Sequence, residues 1–402
     1  DHRDLHSFPT RRSSDLVGID YARYDDANFG NLTIRLDAPN FNAGAAAVGD
    51  TYSGIEGLVG GAGNDTVFGN NSANFLFGSG GADLIYGQGG ADYLNGGAGG
   101  DNLYGGAGAD QHIGGDDAGI DYARYDDANF GNLTIRLDAP NFNAGAAAVG
   151  DTYSGIEGLV GGAGNDVIVG NNSANFLFGS GGADLIYGQG GADYLNGGAG
   201  GDNLYGGAGA DQHIGGDDAG IDYARYDDAN FGNLTIRLDA PNFNAGAAAV
   251  GDTYSGIEGL VGGAGNDVIV GNGSANYLFG SGGADYIDAR AGNDYLNGGA
   301  GADRFVFATA LGAGNVDTVA DFQHLVDDLV LSRGIFSAVG LSLAADELVT
   351  GSAALDANDF ILYNSVTGAL LYDADGIGAS AAVQFATLRA GLTLTFDDFI
   401  VA

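Results

Sequence analysis

The chain has no cysteine, no methionine, no tryptophan and no lysine among its 402 residues. Without cysteine there is neither a disulfide framework nor a thiol nucleophile. Without lysine no glycine-rich stretch can serve as a phosphate-binding loop, which needs Lys-Ser or Lys-Thr at its end. Histidine is scarce, with five copies and no His-Glu-x-x-His, so a zinc-protease site of that type is excluded. No Gly-x-Ser-x-Gly elbow stands beside a suitable histidine either, and no catalytic apparatus is visible. Basic residues number 13 against 52 acidic ones, and the net charge of −39 disfavours nucleic acid and anionic membranes as partners. No run of 18 apolar residues and no basic-then-apolar leader is present, so neither a membrane span nor Sec-type export is expected. The lack of methionine predicts a reading frame that continues upstream of Asp1 or is wrongly joined there.

What the chain has instead is glycine, 77 copies, set in a nine-residue period. The unit is clearest in Gly78-Ser-Gly-Gly-Ala-Asp-Leu-Ile-Tyr86 and reads Gly-Gly-x-Gly-x-Asp-x-apolar-x. Three glycines in nine residues exclude a helix, because each costs about 1 kcal/mol in a helix interior. A turn of about six residues followed by a three-residue strand fits, with two units closing one coil of a parallel β-helix and coils stacking about 4.8 Å apart. The sixth-position aspartates then form rows along the edges. They are Asp65, Asp83, Asp92, Asp101 and Asp110, then Asp166, Asp184, Asp193, Asp202 and Asp211, then Asp267, Asp285, Asp294 and Asp303. Asn74, Asn175 and Asn276 take the same place in three units. Stacked like charges oppose folding unless a cation lies among them, and carboxylates with turn carbonyls form the all-oxygen ligand set that suits Ca²⁺.

These nonamers resemble the calcium-binding repeats of the RTX family, the parallel β-rolls of secreted bacterial toxins, proteases, lipases and surface proteins. The resemblance implies an all-β fold, a right-handed β-solenoid, with multiple Ca²⁺ ions held between adjacent turns by the fourteen aspartates and backbone carbonyls. It also implies an extracellular or cell-surface location.

The nonamers sit inside a longer repeat of 101 residues: Gly18-Ile-Asp-Tyr-Ala-Arg-Tyr-Asp-Asp returns at Gly119 and Gly220. The expected organisation is three cassettes, 17–117, 118–218 and 219–303, with nonamers at 60–113, 161–214 and 262–303. A C-terminal region, 304–402, follows. Each cassette opens with about forty residues lacking the nonamer, read as wider coils with a loop bulging around Pro39 to Val48, or alternatively as small independent domains. Ile55 and Leu58 read as core, Glu56 as solvated or cation-facing. His112 and His213 stand where an apolar residue belongs, and Asp121 and Asp222 then arrive eleven residues after the previous aspartate rather than nine. This slip is expected to end the regular ladder at each junction. At Ala289-Arg290 the Gly-Gly pair is lost, so a weak site or none is expected there.

Residues 1–16 share neither composition nor period with the rest and resemble the translation of a sequencing adapter; a basic linker or processing site is the alternative. Beyond Asp303 glycine thins and strands lengthen, with a hairpin expected from Phe360–Tyr363 and Ala369–Tyr372. This end is similar to the serralysin-type C-terminal region of RTX exoproteins. That likeness implies a capping domain with an uncleaved signal for a type I (ABC) exporter. Three readings follow: a calcium-binding secreted protein without catalytic activity, the C-terminal part of a hydrolase or toxin, or an adhesin with a cell-surface or matrix partner. The last predicts an exposed aromatic patch from Tyr21, Tyr24, Phe29 and Phe41; most of these side chains are expected to pack on the roll instead.

Overall fold

The computed structural model describes residues 19–26 and 28–402, so the adapter-like segment 1–16 lies outside the described residues. They fold almost entirely as short β-strands, and no helix among them is long and apolar enough to cross a membrane. Two compact units emerge. One runs to Asp202 and includes Asp217–Gly220; the other comprises Asn203–Gly216 and Ile221–Ala402.

Each nonamer makes one strand, and strands eighteen residues apart pair in parallel. Alternation then decides what is inside. In Phe75–Gly80 and Tyr93–Ala98 the second residue, Leu76 or Leu94, is fully buried while its neighbours are half-buried. Register makes these side chains into columns: Leu58, Leu76, Leu94 and His112 in one sheet of the first unit, Val67, Ile85 and Leu103 in the facing one. Full burial is worth about 1.5–3 kcal/mol per aliphatic side chain, so each coil contributes little by itself and stability accumulates by stacking. The turns need left-handed backbone at two places. In the unit at Gly78 these are Ser79 at φ 88° and Gly81 at φ 117°, the second a position only glycine takes without strain. Arg290 keeps the first of these conformations, at φ 73°, although its Gly-Gly pair is lost.

The forty residues that open a cassette form one coil of double length. Tyr21 pairs with Gly57, thirty-six residues on, in parallel, and Leu58 is core whereas Ile55 is half-buried. The extra chain goes into the expected loop, which carries a short 3-10 turn at Pro39–Phe41. At the next such coil the two sheets behave differently. Tyr122–Arg124 lies between Asn102–Tyr104 and Gly158–Gly162, so that sheet runs on. The other sheet ends with Thr152–Ser154 on Gln111–Ile113, and a new one opens with Thr134–Arg136 on Val167–Val169. In the running sheet Ala123 lies in column between Leu103 and Leu159, and the rings of Tyr125 and Tyr153 both pack on His112.

In the second unit the parallel ladders continue past the last nonamer. Arg304–Phe307 and Asp328–Leu331 extend one sheet as far as Phe399–Val401, and Asp317–Val319 extends the other. The expected hairpin is present, with Ile361–Asn364 antiparallel to Ala369–Tyr372 and Val383–Thr387 alongside. Phe307, Phe336, Tyr372 and Phe385 meet edge to face behind it.

Candidate metal centre

Each turn ends on its sixth-position aspartate, or on Asn74, Asn175 or Asn276 in three of them, and the strand that follows fixes where that side chain points. All fourteen predicted aspartates are buried, none more than 2% exposed. Within each unit they form hydrogen-bonded columns. The amide N–H of Asp65 donates to Asp83 Oδ1 at 2.6 Å, that of Asp83 to Asp101 Oδ1 at 2.7 Å, and that of Asp92 to Asp110 Oδ1 at 2.8 Å. Asp166, Asp184 and Asp202 repeat the pattern at 2.7 Å, as do Asp267, Asp285 and Asp303 at 2.7 and 2.9 Å. Asn74, Asn175 and Asn276 donate their amide N–H to Asp92, Asp193 and Asp294, holding the column without adding charge.

One oxygen of each carboxyl is thereby used. The second, Oδ2, is buried without a hydrogen-bond partner in Asp83, Asp92, Asp101, Asp110, Asp184, Asp285 and Asp303. It rests over the first glycine of its own turn: a Cβ at Gly78, Gly87 or Gly96 would collide with Oδ2 of Asp83, Asp92 or Asp101. Carbonyl oxygens of the adjoining coil crowd the same turns, Ser79 against Gly97 and Gly81 against Gly99. At two coil ends the protein satisfies Oδ2 itself, since Gly61 N–H donates to Asp65 and Gly263 N–H to Asp267, both at 2.8 Å.

Burial pushes the carboxyls of Asp83, Asp92, Asp184 and Asp285 up to about 7, and those of Asp110 and Asp166 up to about 6; backbone hydrogen bonds, one to each carboxyl and two to Asp166, offset this only in part. Neighbouring carboxylates of the column add to the rise at Asp83 and Asp184. A buried row of half-satisfied carboxylates beside backbone carbonyls fits a hard divalent cation. Among the described residues no three His, Cys, Asp or Glu side chains converge on one point, so an ion in these turns would draw most of its ligands from carbonyls.

The expectation that the histidine slip ends the ladder is overturned. Asp101 N–H donates to Asp121 Oδ1 at 2.8 Å, and Asp110 N–H to Asp151 Oδ1 at 2.8 Å. Both bonds match those inside the nonamers, although the chain separations are 20 and 41 residues rather than 18. The extra residues loop out, so column spacing is kept by strand pairing and not by sequence period. Glu157 continues one column, accepting from Asp121 N–H at 3.1 Å, and Glu56 does the same for Asp20. Asp317 and Asp327 extend the columns beyond the last nonamer. Asp121 is the aspartate that the sequence places eleven residues after Asp110; nothing in the local sequence marks Asp151. His112 and His213 fill fully buried core positions; burial depresses both to about 4, and a poorly aligned contact with the backbone of Thr152 or Thr253 offsets this only in part.

Against known proteins, the family profile for the RTX calcium-binding nonapeptide repeat (4 copies) matches residues 51–85, 59–94, 86–120, 152–186, 160–195, 187–221, 253–287 and 270–305. No curated protein matches the chain. Among solved structures, the extracellular lipase LipA from Serratia marcescens aligns at 16% identity and a TM-score of 0.18, over 60% of this chain and 40% of the lipase. The matched stretches hold all fourteen columnar aspartates and the parallel ladders that carry them. Residues 51–120, 152–221 and 253–305, just under half of the chain, are thus nonapeptide repeat regions of the RTX calcium-binding type.

Proposed function

We propose that this chain is a secreted calcium-binding β-roll that folds when it meets high calcium and performs no chemistry of its own. The observation that carries this reading is the set of buried Oδ2 atoms without partners in Asp83, Asp92, Asp101, Asp110, Asp184, Asp285 and Asp303. Leaving a buried carboxylate oxygen unsatisfied is costly, and a bound cation removes that cost. The fourteen aspartates are the proposed ligands, with Asp294 the weakest because Ala289 puts a methyl group where the other turns have glycine. Fourteen divalent ions, an upper bound, would bring the net charge from −39 to roughly −11, easing the self-repulsion of the compact state. Binding of this kind is coupled to folding.

The three-cassette division and a closing C-terminal region from 304 onward belong to the same proposal, as does export through a type I machine that reads the C-terminal region. A chain disordered at cytosolic calcium suits passage through an exporter, and millimolar calcium outside then folds it. Far-UV circular dichroism is the test. The proposal expects coil under chelation and β-structure after calcium is restored; full β-signal with cooperative melting under chelation would refute it.

One observation favours adhesion as an added role. Tyr24 is interior, but Phe41, Phe142 and Phe243 stand 73%, 67% and 71% exposed on equivalent loops. Replacing all three by Ser should abolish attachment to cells or matrix while leaving calcium-dependent folding intact, and unchanged attachment would dismiss the role.

A further inference from the structure

In a chain of net charge −39, residues 38–49 carry no charged side chain, and neither do their equivalents 139–150 and 240–251. What these loops show to solvent is hydrocarbon: Phe41 and Val48, Phe142 and Val149, Phe243 and Val250 are all more than half exposed. The charges beside the first loop are occupied, Asp37 by Arg35 at 2.8 Å and Asp50 by the Tyr24 hydroxyl. Its backbone is closed on itself. Pro39 has no N–H, Phe41 N–H donates to the Ala38 carbonyl at 3.0 Å, Asn42 N–H to that of Pro39 at 3.1 Å, and Ala43 N–H to that of Thr33 at 2.9 Å. The buried Asn42 side chain accepts from Arg35 N–H and donates to the Asp50 carbonyl, and Asn143 and Asn244 do the same in their loops. This leaves Asn40 as the one exposed polar side chain between Ala38 and Gly49. A protein or sugar partner is read through hydrogen bonds or charge, and these tips offer little of either. An apolar tip whose backbone donors are already paired is suited to a hydrocarbon medium, where each unpaired N–H would oppose entry.

The loops do not share a side. Within the first unit, Thr33–Arg35 leads into Phe41 and lies in the sheet that runs on through the junction. Thr134–Arg136 leads into Phe142 and opens the sheet that faces it. The opening strands exchange in the same way, Tyr21–Arg23 standing in one sheet and Tyr122–Arg124 in the other. The second cassette is therefore turned over relative to the first, and Phe41 and Phe142 leave the roll from opposite sides.

We propose that these tips insert into the surface of a neutral, zwitterionic lipid layer, and that the opposed Phe41 and Phe142 let one chain hold two such layers together. The proposal rests on the adhesion reading above and names its partner. The acidic body of the chain adds no attraction to anionic headgroups, so the uncharged tips select a neutral surface. One phenylalanine makes a weak contact, and attachment comes from several tips acting at once.

The test mixes the calcium-loaded full chain with phosphatidylcholine vesicles, reading binding by co-sedimentation and clustering by light scattering. The unsubstituted chain should bind the vesicles and cluster them. Phe243→Ser should still cluster them, because Phe41 and Phe142 remain. Phe142→Ser combined with Phe243→Ser should bind about 10-fold more weakly and no longer cluster, and the triple variant should not bind. Circular dichroism at saturating calcium should be the same for every variant, since all three rings are exposed. If the unsubstituted chain ignores the vesicles while the triple variant loses attachment to cells, the tips read a protein or a sugar. The lipid proposal then falls and the adhesion reading stands. Full attachment of the triple variant to cells overturns the adhesion reading itself. Vesicle binding by Phe243→Ser without clustering overturns the two-sided bridge.

Discussion

The Tyr125 hydroxyl and Asp151 Oδ2 lie 2.6 Å apart, and this bond supplies what Asp83, Asp92, Asp101 and Asp110 lack, a partner for the second carboxyl oxygen. Tyr153 joins through its own hydroxyl at 2.6 Å from that of Tyr125, and Asn143 donates to Tyr153 at 3.1 Å. The same network closes the later cassette through Tyr226, Asp252, Tyr254 and Asn244. Tyr125→Phe leaves a buried carboxylate oxygen bare, a loss of about 1.5–3 kcal/mol for a hydrogen bond to a charged group. Protection of the Thr152–Ser154 amides in calcium-bound protein should fall by roughly 10-fold to 100-fold in hydrogen exchange. Unchanged protection would mean that the tyrosine merely fills space.

Removing one ligand from inside a column should shift the calcium requirement without changing the folded form. Asp92→Ala is expected to raise the calcium midpoint of the β-transition severalfold and to reach the same final spectrum. A midpoint within error of the unsubstituted chain would remove Asp92 from the ligand set.

Two neighbouring glycines separate ligand geometry from glycine content. Gly78→Ala sets a methyl against Asp83 Oδ2 and the Gly96 carbonyl, whereas Gly80→Ala meets nothing nearer than 3.9 Å. The first should raise the calcium midpoint and the second should leave it almost unchanged. Equal effects in a calcium titration followed by circular dichroism would show that glycine acts here only through chain flexibility.

Proton and calcium should compete for the same oxygens. Asp83, Asp92, Asp184 and Asp285 have folded-state values near 7, above the ordinary 3.8. A raised folded value contributes stability in full below about 3.8 and loses it as pH rises through 7. In calcium-free buffer the β-signal should therefore grow as pH falls from 8 toward 5, and the calcium midpoint at pH 5.5 should exceed that at pH 8. A calcium-free spectrum that stays flat across this range contradicts the burial assigned to these carboxyls.

His112 works in the other direction. Its ring is fully buried and depressed to about 4, so unfolding must charge it wherever pH lies below its ordinary 6.5. His112→Leu continues the leucine column and removes two buried ring nitrogens that the fold leaves poorly satisfied. Stability in calcium should rise by about 1 kcal/mol at pH 7, with a larger gain at pH 5. A loss at both values would show that its ring contact with Tyr153, at 5.5 Å, outweighs the buried nitrogens.

The parts of this fold that the sequence makes legible are those governed by period. Aspartate columns, inward leucines and the strand that follows each turn are all local consequences of nine residues repeating. The Phe360–Tyr363 hairpin is legible for the same reason, because alternation and a short turn determine it. What escapes is set by pairing across the coil. Asp121 and Asp151 enter their columns because Tyr122 and Thr152 find strand partners, and the intervening chain loops out at no cost to register. His112 reads as an interruption because it is polar; in three dimensions it is an aromatic plug under Tyr153. Tyr24, which only the adhesin reading would place at the surface, packs inside, and its hydroxyl meets Asp50 at 2.7 Å.

The way one sheet passes through the junction while its partner ends and is replaced bears on how such a gene can change length. Tyr21 meets Gly57 in the first cassette just as Tyr122 meets Gly158 in the second and Tyr223 meets Gly259 in the third. The strands that join successive repeats also keep one register, Tyr122 on Asn102 and Thr152 on Gln111, then Tyr223 on Asn203 and Thr253 on Gln212. Unequal recombination between near-identical DNA copies can thus add or delete 101 codons and leave both new neighbours correctly paired. Variation among natural isolates should come in whole multiples of that block.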